Sequence, residues 1–240
     1  VAGRKVEHKS EYFFSDLANW TGGPVEKFEE TRHQHLRRVL VAPKNQRNEA
    51  RLNLARFYIA NGMAADAMGV IEVALAQAPD LEASPEVRAL RGAAHFLLGH
   101  YALAAQEFEK PDLKSDPSIA PWRAGIAAAR GDWLKAYQII RDVRGIVTAM
   151  PGWLRTRFTI IGAEAALAVK DIDTAKPWLD GLRNSPLRPD DQQYLTFLNG
   201  HATRLEGKQG VARSMWRSVL DSSNRHVRAK AQFALVNSDL

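Results

Sequence analysis

Residues 48–81 read NEARLNLARFYIANGMAADAMGVIEVALAQAPDL, a stretch in which two apolar helical stripes flank a short turn. Leu54 and Tyr58 are four residues apart, so both lie on one face of the first predicted helix. Gly62 favours a turn after that helix, and Pro79 cannot continue the interior of the second one. The stretch therefore predicts a hairpin of two packed α-helices.

The same register recurs four more times along the chain. A small residue stands in the second helix of each predicted hairpin, at intervals of 32–39 residues: Ala67, Ala104, Ala136, Ala175 and Ala212. A turn residue precedes each alanine by five positions: Gly62, Gly99, Gly131, Lys170 and Gly207. A large apolar residue follows each alanine by four positions: Ile71, Phe108, Ile140, Leu179 and Trp216. Recurrence at this period predicts stacked helical hairpins, a class of fold that usually offers a binding surface.

The first of these segments resembles the tetratricopeptide repeat family. The resemblance is carried by Leu54, Ala55, Tyr58, Gly62, Ala67, Ile71, Ala74 and Pro79. It implies an all-α, right-handed α-solenoid in which each repeat consists of helix A, a tight turn and helix B. The later repeats depart from the family pattern, because Arg91 and Arg123 stand where the family has leucine and Lys170 replaces a turn glycine.

The register sets the predicted organisation, which is one continuous domain. Residues 1–47 form a polar tail and a helical hairpin, and residues 223–240 form a capping helix or the first helix of a further repeat. Between them lie five repeats, at 48–81, 85–118, 118–150, 156–188 and 190–222. Within the first segment, we expect helices at 11–20 and 25–41, separated by a Thr-Gly-Gly-Pro break.

The bulk properties of the 240 residues are those of an ordinary globular protein, with 45% hydrophobic and 25% charged residues. Disulfides and thiolate metal sites are excluded because the chain has no cysteine. We expect no transmembrane segment, since no run of about 18 apolar residues occurs. The chain begins with Val1 and a polar stretch, so we expect a processed product or a piece of a longer protein.

Catalytic and metal-binding patterns are missing from the sequence. No phosphate-binding loop, zinc-protease motif or nucleophile elbow occurs. His33 and His35 would point about 200° apart on a helix, so they cannot share a metal ion. The Asp190–Asp191 pair follows Pro189 at a predicted helix start, where carboxylates cap the helix. We expect no enzyme activity, no metal and no cofactor.

The resemblance also implies where a partner would bind, since helix A of each repeat lines the concave groove in this family. The implied partner-binding residues are Glu49, Leu52, Arg56, Ile59, Glu86, Phe96, Arg157, Ile160, Glu164, Tyr194, Phe197, His201 and Arg204. A protein scaffold that binds a peptide or a helix of a partner is the leading hypothesis. Leu52 and Arg56 replace the lysine and asparagine of the family's clamp for chaperone C-termini, which argues against that subclass.

Several alternatives stay open at this point. Phe96, Tyr194 and Phe197 could pack inward, because large apolar residues are buried by default. The net charge of +6 allows a polyanion binder, nucleic acid or cell-wall polymer, although the interspersed charges do not favour it. A basic stripe for such a partner would comprise Arg204, Arg213, Arg217, Arg225, Arg228 and Lys230. The chain could also be an accessory domain of an enzyme, or self-associate through its repeat ends. The Ala-rich and Arg-rich composition with degenerate repeats resembles that of envelope-associated or multiprotein-complex repeat proteins of bacteria, which favours the cell envelope or periplasm.

Overall fold

The computed structural model describes residues 12–238, and within that range every regular element is a helix. The α-helices are α1 (Phe28–Val41), α2 (Arg47–Ala60), α3 (Ala64–Gln77), α4 (Pro85–Leu97), α5 (Tyr101–Phe108), α6 (Pro111–Lys114), α7 (Ala120–Ala129), α8 (Trp133–Ile140), α9 (Arg144–Thr148), α10 (Gly152–Ala168), α11 (Ile172–Arg183), α12 (Pro189–Leu205), α13 (Gln209–Arg217) and α14 (Arg225–Asn237). Short 3-10 helices cover Asn19–Thr21, Val25–Lys27, Pro79–Ala83 and Pro117–Ile119. The all-α fold class is confirmed.

Helices that follow one another along the chain pack in pairs, as a helical repeat requires. The most extensive pairings are α2 with α3, α4 with α5, α10 with α11, and α12 with α13. These four pairs coincide with the first, second, fourth and fifth predicted hairpins. In the part of the chain that is described, the architecture is therefore a helical repeat.

The small-residue register is buried throughout. All five alanines, from Ala67 to Ala212, are 0% exposed. The large apolar residues four positions later are buried with them, and Trp216 in the fifth repeat is fully enclosed. This pairing explains the recurrence, since a methyl group lets two helices approach while the larger side chain fills the adjoining space.

The turn residues share one backbone conformation. Gly62, Gly99, Gly131 and Gly207 have φ between 76° and 82°, in the left-handed region that glycine adopts without a steric penalty. Lys170 occupies the equivalent position with φ of 64°. The backbone therefore follows the repeat register even where the sequence departs from it.

Three glycines in the first helices of the hairpins receive an aromatic ring from the second helix. The pairs are Gly92 with Phe108, Gly162 with Trp178 and Gly200 with Trp216, and each spans sixteen residues. A Cβ at Gly92 would lie 2.7 Å from the Phe108 ring, and one at Gly162 would lie 2.6 Å from the Trp178 ring. Glycine at these positions makes room for bulky residues that fill the hairpin interior.

Arg91 and Arg123 make ion pairs at two positions where the resemblance implied apolar contacts. Arg91 on α4 donates to Glu107 on α5 and to Glu82, at 2.7 Å in each case. Arg123 on α7 approaches Glu109 at 3.5 Å and donates to the carbonyl of Lys114. Arg91 and Glu107 are both largely buried, so each charge is compensated by its partner.

The described residues fall into two compact units. Unit 1 extends to Ile126 and includes Thr148–Pro151, and unit 2 comprises Ala127–Val147 and the residues from Gly152 onward. The boundary lies within α7, inside the third predicted repeat, where the sequence shows no change of composition. The single continuous domain expected from the sequence stays a prediction.

The helix predicted for residues 11–20 was wrong over the residues that the structure describes. Residues 12–18 form turns and continue into the 3-10 helix Asn19–Thr21. The apolar spacing was nevertheless informative, because Phe14 and Leu17 are buried. A helix this short is marginal by itself, and contacts with the rest of unit 1 override it. The second helix, predicted at 25–41, forms as a 3-10 turn followed by α1.

The last helix, α14, packs against α13 and α12. The Asn224 side chain caps its start by accepting hydrogen bonds from the backbone of His226 and Val227. Val227, Ala231 and Ala234 form its buried face. The helix predicted within residues 223–240 is confirmed.

Candidate functional site

A cleft of about 600 Å³ opens on the face of unit 1 formed by the first helices of its hairpins. One wall belongs to residues 12–22, which we name the strap, and the other to α1, α2 and α4. The lining residues are Tyr12, Phe13, Phe14, Asp16, Asn19, Trp20, Gly22, His35, Asn53, Arg56, Phe57, Glu86, Ala89 and Leu90.

The start of the strap is held beside α7. The backbone N–H of Phe13 donates to Asp116 Oδ2 at 2.9 Å, and that of Phe14 donates to Ser118 Oγ at 3.1 Å. Asp116 Oδ1 in turn accepts from both the backbone N–H and the hydroxyl of Ser118. Two backbone donors of the strap are thus satisfied by side chains of another segment.

The Phe14 side chain fills an aromatic pocket. Its ring centroid is 5.2 Å from that of the fully buried Trp122 on α7. Trp122 also packs edge-on against Phe96, at 5.4 Å between centroids. Aromatic pairs of this geometry add to the stabilisation from burial alone. Phe14 therefore anchors the strap in this pocket, and Leu17 is a second buried apolar side chain of the strap.

The other end of the strap is fixed at the end of α2. Asn61 Nδ2 donates to the Thr21 carbonyl at 3.3 Å. Thr31 Oγ1 on α1 donates to the Gly22 carbonyl at 3.4 Å. The strap therefore runs from the end of α2 to the start of α7, across the face where α2 and α4 line the cleft.

Arg56 on α2 is held by oxygen acceptors from two helices at the cleft. Its guanidinium donates to Glu86 on α4, to Asn53, and to Glu49 at 3.2 Å. Asn53 Nδ2 also donates to Glu49, at 3.2 Å. The network fixes the position of a planar donor group, which reduces the entropy that it would lose on binding a ligand.

His35 on α1 contributes a neutral ring to the cleft. It stacks on Phe57 with centroids 5.1 Å apart. Burial lowers the pKa of His35 below its usual value, and the nearby charge of Arg38 lowers this pKa further. Nδ1 is buried and has no hydrogen-bond partner among residues 12–238. The lowered pKa favours the uncharged imidazole at neutral pH.

The structure brings only part of the predicted groove in unit 1 to the surface. Arg56 and Glu86 line the cleft, and the exposed Glu49 is bonded to Arg56. Leu52, Ile59 and Phe96 are instead buried, which corrects the expectation that they face a partner. Phe96 packs inward against Trp122, the alternative that the sequence left open.

In unit 2 the predicted groove residues form a closed polar cluster. The Tyr194 hydroxyl donates to Glu164, and Lys230 on α14 donates to Glu164 and, at 2.8 Å, to the Tyr194 oxygen. Burial and the Glu164 charge raise the pKa of Tyr194, so its hydroxyl keeps its proton. The cluster links α10, α12 and α14 through satisfied buried polar groups.

Aromatic rings surround the charges of this cluster. The Lys230 ammonium lies 5.4 Å from the Tyr194 ring centroid and 5.9 Å from that of Trp133. Phe197 is buried and contacts the His201 ring at 4.7 Å. Tyr194 and Phe197 therefore pack inward, which again corrects the expected groove surface. Arg157, Ile160 and His201 are half-buried, and Arg204 is exposed.

The sequence did not identify the strap, His35 or Asn53 as site residues, and it did not place Lys230 in the groove. The density of aromatic residues in the strap is a visible signal, but their spacing also fits a helix face. Lys230 belonged to the predicted basic stripe. Its ammonium is bonded to Glu164, and Arg228 donates to the carbonyls of Ser222 and Ser223, so these two cations do not extend an open stripe.

Residues 12–238 contain no helix with the length and apolarity needed to cross a bilayer. Within the same range, no three or more histidine and carboxylate side chains are grouped so that they could hold a metal ion. Comparisons with protein-family models, curated proteins and solved structures found no match to the chain.

Proposed function

We propose that the chain is a non-catalytic protein-interaction scaffold, and that unit 1 binds an extended polypeptide segment of a partner at the cleft. The strap is the observation that carries this proposal. It is a polypeptide segment without an α-helix, seated across the face formed by α2, α4 and α7 through two apolar anchors and two backbone N–H groups. A surface that holds one such segment has the chemistry to hold another.

The cleft beside the strap supports the same function. Its volume of about 600 Å³ lies within the range of roughly 300–1,000 Å³ that is common for ligand sites. It combines Trp20 and Phe57 with the positioned Arg56 and the carboxylate of Glu86. Aromatic residues and arginine contribute most to binding energy at protein interfaces. Asn53 and Arg56 supply donors for the carbonyl groups of a bound chain.

We also propose that the hairpins are tetratricopeptide-like repeats that form a right-handed superhelix. Tetratricopeptide-like repeats are supported by the five fully buried alanines and by the turn residue with positive φ that precedes each by five positions, and the right-handed sense of the array is what the family resemblance implies. In such an array the first helices of the hairpins form the binding face. Within unit 1 the first helices line the cleft, and within unit 2 they contribute Glu164 and Tyr194 to the cluster with Lys230.

Selection from a random peptide library on the full chain tests the proposal. We expect saturable binders, and we expect Arg56→Ala to weaken them by about tenfold or more, the equivalent of about 1.4 kcal/mol. The control is Arg183→Ala, which removes an arginine whose ion pair with Asp180 lies outside the cleft. That variant should bind the peptides like the wild type, because its ion pair lies outside the cleft and an exposed ion pair contributes little to folding stability.

Two results would contradict the proposed function. One is the absence of any peptide that binds the folded chain. The other is an equal loss of affinity in Arg56→Ala and Arg183→Ala, because binding would then not involve the cleft. Thermal unfolding of each variant shows whether a loss of affinity reflects a loss of fold.

A further inference from the structure

We propose that the strap is a built-in competitor for the binding face of unit 1. On this view a partner segment carries an aromatic residue and, three positions later, an aliphatic one, as Phe14 and Leu17 do. It binds by displacing the strap from the Trp122 pocket. This inference rests on the proposed function, to which it adds the chemistry of the partner and the regulation of the site.

The contacts that hold the strap can be reproduced by another polypeptide. Two of them are donated by the backbone N–H groups of Phe13 and Phe14, which almost any sequence can supply. The side-chain contribution comes from Phe14 and Leu17, the two buried side chains among the eleven strap residues. A segment with the same pair of anchors at the same spacing therefore satisfies the same acceptors and fills the same pocket.

The junction between the strap and α1 has the form of a hinge. Gly22 and Gly23 both have positive φ, of 78° and 119°, and Pro24 follows them directly. A Cβ at Gly23 would meet no atom within 4 Å, whereas one at Gly22 would lie 2.4 Å from Thr31 Cγ2. Gly23 is therefore the unpacked residue of the junction, and Gly22 is packed on α1. Glycines in this conformation permit large changes in φ and ψ. The strap can thus leave the face while α1 remains packed on α2.

Most of the strap presents its side chains to solvent. Ser15, Asp16, Ala18 and Asn19 are exposed, and their hydrogen bonds are to neighbouring strap residues. Its attachment is therefore concentrated at the two anchors and at the two ends. Removing one anchor should raise the fraction of chains with an open face, and the apparent affinity for a competing segment increases by the same factor.

The test uses a labelled peptide with the sequence of residues 12–22, YFFSDLANWTG, titrated into the full chain and followed by fluorescence anisotropy. We expect Leu17→Ala to bind this peptide at least about tenfold more tightly than the wild type, because the intramolecular competitor is weakened. The matched control is Ile71→Ala, which truncates an equally buried aliphatic side chain on α3, outside the strap. It should bind like the wild type.

A peptide in which both anchors are replaced by serine should not bind any of the three proteins. If Leu17→Ala and Ile71→Ala bind the YFFSDLANWTG peptide equally, or if the serine peptide binds as well, the inference is overturned. The proposed function is tested separately, by the affinity of the wild type and of Arg56→Ala for the library-selected peptides. A molecular mass of Leu17→Ala that rises to that of a dimer with increasing protein concentration would also overturn the inference. A second copy of the chain, and not a partner segment, would then fill the pocket.

A measurement on the wild-type chain covers the case in which Leu17→Ala does not fold. Excess unlabelled YFFSDLANWTG peptide should accelerate hydrogen exchange at the amides of Phe13 and Phe14, which the intact strap protects through Asp116 and Ser118. The serine peptide at the same concentration should leave both rates unchanged. Unchanged rates with both peptides would show that the strap is not exchangeable.

Discussion

Among single residues, Lys170 combines a side chain that has a Cβ with a backbone conformation that favours glycine. It has the positive φ that glycine supplies in the other four turns. The left-handed region costs a residue with a Cβ roughly 1–2 kcal/mol. We expect Lys170→Gly to raise the free energy of unfolding by about 1 kcal/mol, since part of the gain is offset by the flexibility of glycine in the unfolded chain. Urea denaturation measures this change, and an unchanged or lower stability would contradict the conformational argument.

Two glycines of unit 1 should respond in opposite ways to the same substitution. Gly92→Ala places a Cβ against the Phe108 ring, and we expect it to destabilise the chain by about 1–3 kcal/mol through overpacking. Gly69 lies inside α3, and a Cβ added there would meet nothing within 4 Å. Gly69→Ala should therefore stabilise the chain by up to about 1 kcal/mol through helix propensity. Thermal denaturation of both variants measures the contrast, and changes of the same sign would refute it.

His201 should make the chain sensitive to acid. Burial lowers the pKa of His201 from 6.5 to about 4, and the charges of Arg204 and Lys230 act in the same direction. Above pH 6.5 the ring is neutral in both states, so it has no effect on stability there. Between pH 6.5 and 4 only the unfolded chain takes up the proton, and the free energy of unfolding should fall by on the order of 3 kcal/mol.

Replacement of the ring isolates this effect from that of the carboxylates. His201→Gln should lower stability at neutral pH, because the contacts with Phe197 and Trp216 are lost. Its stability should nevertheless decline less than that of the wild type between pH 6.5 and 4. Parallel curves of unfolding free energy against pH for the two proteins would show that His201 does not cause the acid sensitivity.

Among the helices, the buried alanine of each second helix allows it to pack closely against its neighbours. Ala136 on α8 is fully buried, and α8 packs against α10. We expect Ala136→Leu to cost about 1–3 kcal/mol by overpacking. Leu134 lies on the exposed side of the same helix, so Leu134→Ala should change stability by less than about 0.5 kcal/mol. Chemical denaturation compares the two, and a neutral Ala136→Leu would mean that the register is wrong.

Of the elements, the hairpins could be predicted from the sequence and the strap could not. Hairpins were predictable because each turn residue, alanine and large apolar residue is fixed by contacts within one repeat. The strap was not, because its backbone donors are satisfied by Asp116 and Ser118, about a hundred residues away. A local pattern such as the spacing of Phe14 and Leu17 reports that a face is buried, but not which partner buries it.

At the scale of the whole molecule, segments near both ends of the chain contribute to the surfaces where a partner was predicted to bind. The strap crosses the binding face of unit 1, and α14 contributes Lys230 to the cluster in unit 2. The predicted groove residues therefore divide by chemistry. Arg56, Glu86 and Glu164 are polar members that the structure brings into networks or the cleft, whereas Leu52 and Phe197 are core residues. The position of a residue within its repeat does not distinguish these two groups, because its burial also depends on the neighbouring repeat, the strap and α14.

Hydrogen exchange of the full chain, with and without a library-selected peptide, tests the claim that unit 1 binds a polypeptide on this face. We expect slower exchange in α2 and α4 when the peptide is bound, and faster exchange in residues 12–22 as the strap is displaced. Slower exchange in α2 and α4 without a change in the strap would support binding at this face but contradict the inference that the partner displaces the strap. Protection confined to residues 152–238, or no protection at all, would contradict the claim.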